Sequence, residues 1–139
     1  MLIAVDPRYP GVWDDLAHYL AQAIERGDGG RDWGLEDMRE RIESGHVMLW
    51  AFVVGDEIHG AGLTCKTVYP RRAVLEILAF GADPGFEEEW LAELPWLKGY
   101  AKQAGMSAII GTGRPGWVRK LEGVREKRAF EIDLESGHE

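Results

Sequence analysis

The sequence has little that would support metal, disulfide or membrane chemistry. It contains one cysteine, Cys65, which excludes an internal disulfide framework and a cysteine-based zinc site. Its four histidines show no metal-ligand spacing, so no metal site is predicted. Its longest apolar stretch, residues 47–54, has eight residues, far below the ~20 of a membrane helix. Since the start lacks a basic region and a long apolar core, we expect a cytoplasmic protein without a signal peptide or membrane partner.

Positive charge is also scarce. The 139 residues include 16 Lys and Arg against 24 Asp and Glu, a net charge of -8. Such a protein repels phosphate backbones at long range, so bulk nucleic-acid binding is not expected. Residues 114–128 nevertheless hold six basic side chains: Arg114, Arg119, Lys120, Arg125, Lys127 and Arg128. This region would suit a phosphorylated ligand, a nucleic acid or an acidic partner, or it is a solvated face paired with nearby glutamates.

The hydrophobic pattern predicts one domain over residues 1–134 and a polar tail at 135–139. Asp83 and Pro84 indicate the start of the third helix, and Pro95 should kink that helix or split it. Helical spacing appears at residues 13–24, 35–42, 86–104 and 117–121, and strand patterns at 2–5, 47–54, 61–69, 74–82, 107–111 and 129–134. The order β-α-α-β-β-β-α-β-α-β predicts an α/β fold with a mixed sheet and helices on both faces.

Six tryptophans are a high count for this length. Five lie in apolar patterns and are predicted to build the core: Trp13, Trp50, Trp90, Trp96 and Trp117. Trp33 lies in a predicted loop, where exposure would indicate a contact surface or a homodimer.

The element order and the residues from 75 to 105 resemble the GNAT superfamily of N-acetyltransferases. The run LEILAF at 75–80 is similar to the superfamily's fourth strand, and YAKQAG at 100–105 to the end of its third helix. The resemblance covers nearly the whole chain and implies a GNAT-like fold with acetyl-CoA as cofactor. It also implies that the backbone of Leu78, Ala79 and Phe80 holds the acyl-pantetheine arm and that Gly85 lies in the phosphate loop.

A narrower resemblance is to small GNAT-like proteins of tailed phages and prophages. It is carried by YPRR at residues 69–72 and by GRPGW at residues 113–117. This likeness implies a phage or host protein as partner, and a location in the host cytoplasm or in the virion.

The predicted phosphate loop departs from the pattern of GNAT enzymes. Those enzymes have Arg/Gln-x-x-Gly-x-Gly/Ala at the start of the third helix, where backbone N–H groups approach the diphosphate. The gapless match falls on GFEEEW at 85–90, so Gly85 stands in the basic position and Glu88 and Trp90 in the small ones. At ~5 Å and an effective dielectric of ~20, each like-charge contact costs roughly 3 kcal/mol before salt screening. The loop therefore argues against the usual cofactor mode, although acidic residues also simply favour a helix start.

Glu76 is the candidate general base. The resemblance places a catalytic glutamate on this strand, where burial would raise its pKa toward a useful value. The alternative is an ordinary polar residue on the strand's solvent face, or one paired with Arg71 or Arg72. The superfamily's usual acid is a tyrosine on the last helix, and the predicted helix here has none.

Arg114 and Trp117 are the other candidate ligand contacts, an anion-binding guanidinium beside a stacking surface. The alternative is a turn at a helix start with Trp117 as a core anchor.

Three functional hypotheses stay open at this point. One is a virion-associated or interaction protein that has lost acetyl-CoA binding. A second is an active N-acyltransferase that moves an acyl group from acyl-CoA to a small-molecule, protein or nucleotide amine. A third keeps the fold but uses another donor, such as an aminoacyl-tRNA.

Overall fold

The computed structural model describes residues 1–26, 32–111, 120–127 and 129–135. Five strands form one sheet in the order β1-β2-β3-β4-β5, in which only β4 and β5 run parallel. The strands are β1 Leu2–Val5, β2 Met48–Val54, β3 Glu57–Val68, β4 Ala73–Ala82 and β5 Ala108–Gly111. The helices are α1 Val12–Arg26, α2 Leu35–Glu43, α3 Glu87–Leu91 and α4 Leu94–Gln103.

The predicted mixed sheet with helices on both faces is confirmed. Alternation along β2 sends Leu49 and Ala51 to the face covered by α1 and α2, here called the first face. Trp50 and Phe52 point to the second face, which α3 and α4 cover. Each face therefore has its own apolar cluster, and the sheet lies between them.

Local chemistry explains the helix limits. The backbone N–H of Gly34 donates to the Asp37 carboxylate at 2.9 Å, which closes the start of α2. Pro95 lies in the first turn of α4, so the predicted single helix is split into α3 and α4. The predicted helix start at Asp83 and Pro84 was wrong by a few residues, because Phe86 caps α3 and Gly85 adopts a φ of 91°.

The predicted last strand at residues 129–134 was wrong. The structure describes those residues and assigns them no strand. The alternating pattern specifies which side chains share a face, but a strand also needs a partner edge to supply its hydrogen bonds. Of the predicted last helix, residues 117–119 lie outside the described part of the chain.

The predictions for the tryptophans are confirmed for two residues and wrong for one. Trp50 and Trp90 are buried in the core of the second face, as predicted. Trp96 was predicted to be buried, but half of it is exposed at the start of α4. Trp33 is half-buried against the core of the first face, with the Arg41 guanidinium 5.7 Å from its ring centroid. Trp117 lies outside the described residues.

Candidate functional site

A β-bulge interrupts β4 at Leu78. Thr64 of β3 pairs with Ile77, whereas Leu63 pairs with Ala79, so Leu78 is the extra residue. A bulge bends a strand and re-aims the groups that follow it. The structure therefore places a bend at the start of the segment for which the sequence predicts contacts with an acyl-pantetheine arm.

The edge of β4 beyond this bulge is open in the described part of the chain. The last residue pair between β4 and β5 is Ile77 with Gly111, and β4 then continues for five more residues to Ala82. The backbone groups of Leu78 and Phe80 lie in this segment, which pairs with β3 on one side but not with β5 on the other. An extended strand edge can pair with a linear ligand through its main-chain groups.

The side chain of Phe80 packs into the core of the second face. Its ring stacks on Trp90 at a centroid distance of 4.0 Å and contacts Phe52 at 6.2 Å. The cavity beside Phe80 and Trp90 is about 20 Å³, close to the volume of one solvent probe, so a ligand does not fit there. Any ligand of this edge would contact the β4 backbone and not enter the aromatic core.

Glu76 lies on the first face, two residues before the bulge. It pairs across the sheet with Cys65, whose side chain packs on the first-face cluster. Its Oε1 accepts a hydrogen bond from the Thr67 hydroxyl at 3.1 Å, and the residue is half-buried. It forms no ion pair with either Arg71 or Arg72, all three being described residues. The carboxylate is half-buried and held by one neutral donor, an arrangement that suits a proton acceptor.

The turn that leads into α3 is strongly anionic. Residues 83–91 contain four carboxylates and no lysine or arginine. Glu88 and Glu89 are exposed in the first turn of α3, and Glu87 forms an ion pair with Lys120. This short helix therefore presents carboxylates where the resemblance would place a diphosphate.

Lys120 belongs to the basic region that the sequence predicted between residues 114 and 128. The structure uses this lysine to neutralise Glu87, with both side chains about half exposed. Arg125 and Lys127 are exposed, whereas the predicted ligand contacts Arg114 and Trp117 lie outside the described residues. Part of the basic region therefore serves an internal ion pair.

A hydrogen-bonded cluster at the end of β4 was missed by the sequence reasoning. The Tyr19 hydroxyl donates to Asp83 Oδ2 at 2.9 Å, and His59 Nδ1 lies 3.0 Å from the same oxygen. The His59 ring also stacks on Phe86 at 3.9 Å, which fixes the turn before α3. Since Asp83 Oδ2 is directed to these partners, this carboxylate anchors the turn to α1 and β3.

These contacts shift two pKa values. The hydrogen bond from His59, together with that from Tyr19, lowers the pKa of Asp83. Burial, with a further contribution from Asp83, raises the pKa of Tyr19 to about 12. The cluster thus keeps an anionic carboxylate beside a neutral phenol at neutral pH.

The pairing of β3 with β4 brings the members of this cluster together. Gly60 pairs with Ala82, so His59 and Asp83 are next to each other, and the Asp83 N–H donates to the His59 carbonyl at 2.8 Å. A second bulge, at His59 between β2 and β3, re-aims its side chain. Bulges are not visible in an alternating pattern, which explains the omission.

A second cavity of about 420 Å³ lies between α4, the start of β2 and the last residues of β3. Its wall includes Met48, Lys66, Tyr100 and Met106. Lys66 Nζ donates to the Ala104 carbonyl at 3.0 Å, so its charge is held at the end of α4. The cavity is thus mostly apolar with one cation at its rim.

Two classes of site are absent from the described residues. In the described ranges, no three His, Cys, Asp or Glu side chains lie close enough together to hold a metal ion. None of the helices in the same ranges is long and apolar enough to cross a membrane.

Comparison with known proteins identifies the fold. No protein-family model matches the chain, and no curated protein matches it in sequence. Solved structures do match over nearly the full length of both chains. A GNAT family acetyltransferase of Staphylococcus aureus is 16% identical, with a TM-score of 0.66 and coverage of 96% of this chain and 98% of its own. An acetyltransferase of Trypanosoma brucei is 17% identical, with a TM-score of 0.64 and coverage of 96% and 99%.

A third match is a predicted acetyltransferase of Clostridium acetobutylicum, solved with acetyl-CoA. It is 11% identical, with a TM-score of 0.66 and coverage of 100% of this chain and 99% of its own. These likenesses establish that the chain has a GNAT-like α/β fold. At such identities the fold is shared, whereas the activity must be argued from the site itself.

Proposed function

We propose that this protein is a GNAT-fold interaction protein that does not bind acetyl-CoA in the usual GNAT mode. The observation that carries this proposal is the anionic turn of residues 83–91, with Glu88 and Glu89 exposed in the first turn of α3. A diphosphate at this turn would meet carboxylates, and Lys120, the described cation that contacts this turn, is already paired with Glu87. The electrostatic cost opposes cofactor affinity without affecting the fold.

An aromatic surface supports the interaction role. Trp96 is half exposed, and its ring lies parallel to Tyr100 at a centroid distance of 5.8 Å. Trp50 contacts both rings edge-on from the core, which holds them in place. Rigid exposed aromatic side chains are enriched in protein interfaces. The resemblance of residues 69–72 and 113–117 to GNAT-like proteins of tailed phages supports a virion-associated or host-protein partner.

Isothermal titration calorimetry with acetyl-CoA tests the loss of the cofactor mode. We expect no measurable heat of binding when acetyl-CoA is titrated into the native chain up to about 1 mM. A Kd of 1 mM corresponds to a binding free energy of about 4 kcal/mol. A Kd in the micromolar range would contradict the proposal.

The double variant Glu88→Gln/Glu89→Gln tests the cause. If the carboxylates oppose the diphosphate, this variant should bind acetyl-CoA at least ~10-fold more tightly than the native chain at low salt. The matched control is Glu36→Gln/Glu40→Gln, which removes the same charge from exposed positions of α2. An equal gain in acetyl-CoA affinity in both variants would indicate that the net charge of the protein, and not the local turn, opposes binding.

N-acyl transfer to an amine is the second candidate. It is favoured by the bulge at Leu78, the open edge of β4 beyond Ile77, and Glu76 at the start of that edge. In this hypothesis the β4 backbone binds the acyl donor, and the Glu76 carboxylate accepts the proton of the amine. If the native chain acylates an amine, Glu76→Gln should lower kcat by ~100-fold or more and leave donor affinity unchanged.

A further inference from the structure

The cavity at the carboxyl end of α4 has the make-up of a small-molecule site. Its volume of about 420 Å³ is that of an ordinary ligand pocket. The buried side chains of Leu75 and Met106 line its interior, whereas Met48 and Lys66 are exposed at its mouth. An apolar interior with few polar groups suits a ligand with an apolar body and one polar end.

The pleat of the sheet decides which polar side chains reach this cavity. Thr64 and Lys66 alternate along β3, and Lys66 pairs with Leu75 of β4, so all three side chains lie on the second face. The Thr64 hydroxyl is buried and already accepts a hydrogen bond from the Trp50 indole at 2.8 Å. Lys66 is therefore the polar group of this strand that a ligand can reach.

The Lys66 ammonium keeps capacity for a ligand. Its hydrogen bond to the Ala104 carbonyl, at 3.0 Å, uses one of the three N–H donors that an ammonium carries. Lys66 forms no ion pair with a carboxylate of the described residues. The described residues that line the cavity include no aspartate or glutamate, so no lining carboxylate competes for this charge.

The Tyr100 hydroxyl is a second donor at the cavity. It donates to the Met48 sulfur at 3.2 Å, and a thioether is a weak acceptor. The Ala104 N–H donates to the Tyr100 carbonyl at 3.0 Å, so Tyr100 is one helical turn from the residue that holds Lys66. A carboxylate would be a stronger acceptor for both donors than the groups they now contact.

We propose that this cavity binds a small aromatic carboxylate, with its ring among Met48, Leu75 and Met106 and its carboxylate on Lys66 and the Tyr100 hydroxyl. The site lies at the carboxyl end of α4, whereas the anionic turn lies before α3. The inference therefore does not depend on how acetyl-CoA is bound, and its failure would leave the proposed function untouched.

Methionine methyl NMR of the full chain tests the site. The four methionines provide two reporters in the cavity wall, Met48 and Met106, and two outside it, Met1 and the first-face core residue Met38. Titration with naphthoate, an aromatic carboxylate, should shift the Met48 and Met106 signals saturably, with a Kd of about 1 mM or lower. The signals of Met1 and Met38 should stay in place.

Naphthamide, the neutral amide of nearly the same shape, isolates the contribution of charge. We expect its Kd for the native chain to be at least ~5-fold higher than that of naphthoate, because the charge-assisted hydrogen bonds are lost. This comparison needs no variant, so it holds even if a substitution at the cavity impairs folding.

Two lysine substitutions locate the charge. Lys66→Met keeps an apolar side chain and removes the ammonium, so it should raise the Kd for naphthoate at least ~5-fold and change that for naphthamide by less than ~2-fold. Lys102→Met is the matched control, since it removes the same charge from an exposed position in the last turn of α4. No saturable shift at Met48 and Met106, equal affinity for the two ligands, or equal effects of the two substitutions would each overturn the proposal.

Discussion

At the residue scale, the most informative group is the cluster of Tyr19, His59 and Asp83. The Tyr19 hydroxyl is 2.9 Å from Asp83 Oδ2, and Tyr19 is 4% exposed. These interactions fix the turn before α3 against α1. Their role is structural, since the shared carboxylate oxygen is bonded to Tyr19 and His59.

The raised pKa of Tyr19 gives a prediction for alkaline solution. The unfolded phenol ionises near 10.0, whereas the folded one stays neutral to about 12. Folding stability should therefore fall as pH rises from 10 to 12, by about 2 kcal/mol from this group. Urea unfolding at pH 9.5 and 11 should capture about 1 kcal/mol of this change, and Tyr19→Phe should remove it. Tyr9→Phe, at an exposed position, is the control and should keep the full dependence.

At the element scale, the close approach of α1 to β4 depends on Gly81. A Cβ at this position would lie 2.3 Å from the Tyr19 carbonyl oxygen, and backbone on both sides prevents easy relief. We expect Gly81→Ala to lower the free energy of unfolding by about 3 kcal/mol through overpacking. Chemical denaturation measures it.

The matched control for that substitution is Gly99→Ala within α4. A Cβ there meets nothing within 4 Å. Alanine has a higher helix propensity than glycine, so this variant should raise the free energy of unfolding by up to ~1 kcal/mol. Equal effects of the two substitutions would show that α1 and β4 separate easily.

Element predictions from the sequence succeeded where each element could be specified by its own residues. A proline inside a helix kinks or breaks it, because its ring removes a hydrogen bond and clashes with the preceding turn. Pro95 therefore marked the division between α3 and α4 in the sequence itself. The strand predicted at residues 129–134 failed because no neighbouring edge pairs with it in the described structure. The bulges at His59 and Leu78 were not predictable, since each depends on how two strands pair.

At the scale of the whole molecule, one sheet joins the two apolar clusters. Leu20 of α1 is fully buried on the first face, whereas Trp50 and Trp90 are buried on the second. Because the clusters share the same strands, loss of one should destabilise both.

Leu20→Ala tests this cooperativity. We expect a loss of about 2–5 kcal/mol from the buried cavity, with one shared midpoint for tryptophan fluorescence and far-ultraviolet circular dichroism. Val124→Ala, at a residue that is 40% exposed, should cost less than ~0.5 kcal/mol. Separate midpoints for the two signals would indicate that the faces unfold independently.

The sequence by itself determined the α/β class, the order of elements through β5 and the acidic character of the turn before α3. These features follow from local periodicity, turn chemistry and residue type, which act over a few neighbouring residues. Only the tertiary structure decided that Asp83 is anchored by Tyr19 and His59 and that Lys120 pairs with Glu87. Those partners are 24 to 64 residues apart. They meet only because the sheet pairing and helix packing bring distant segments together.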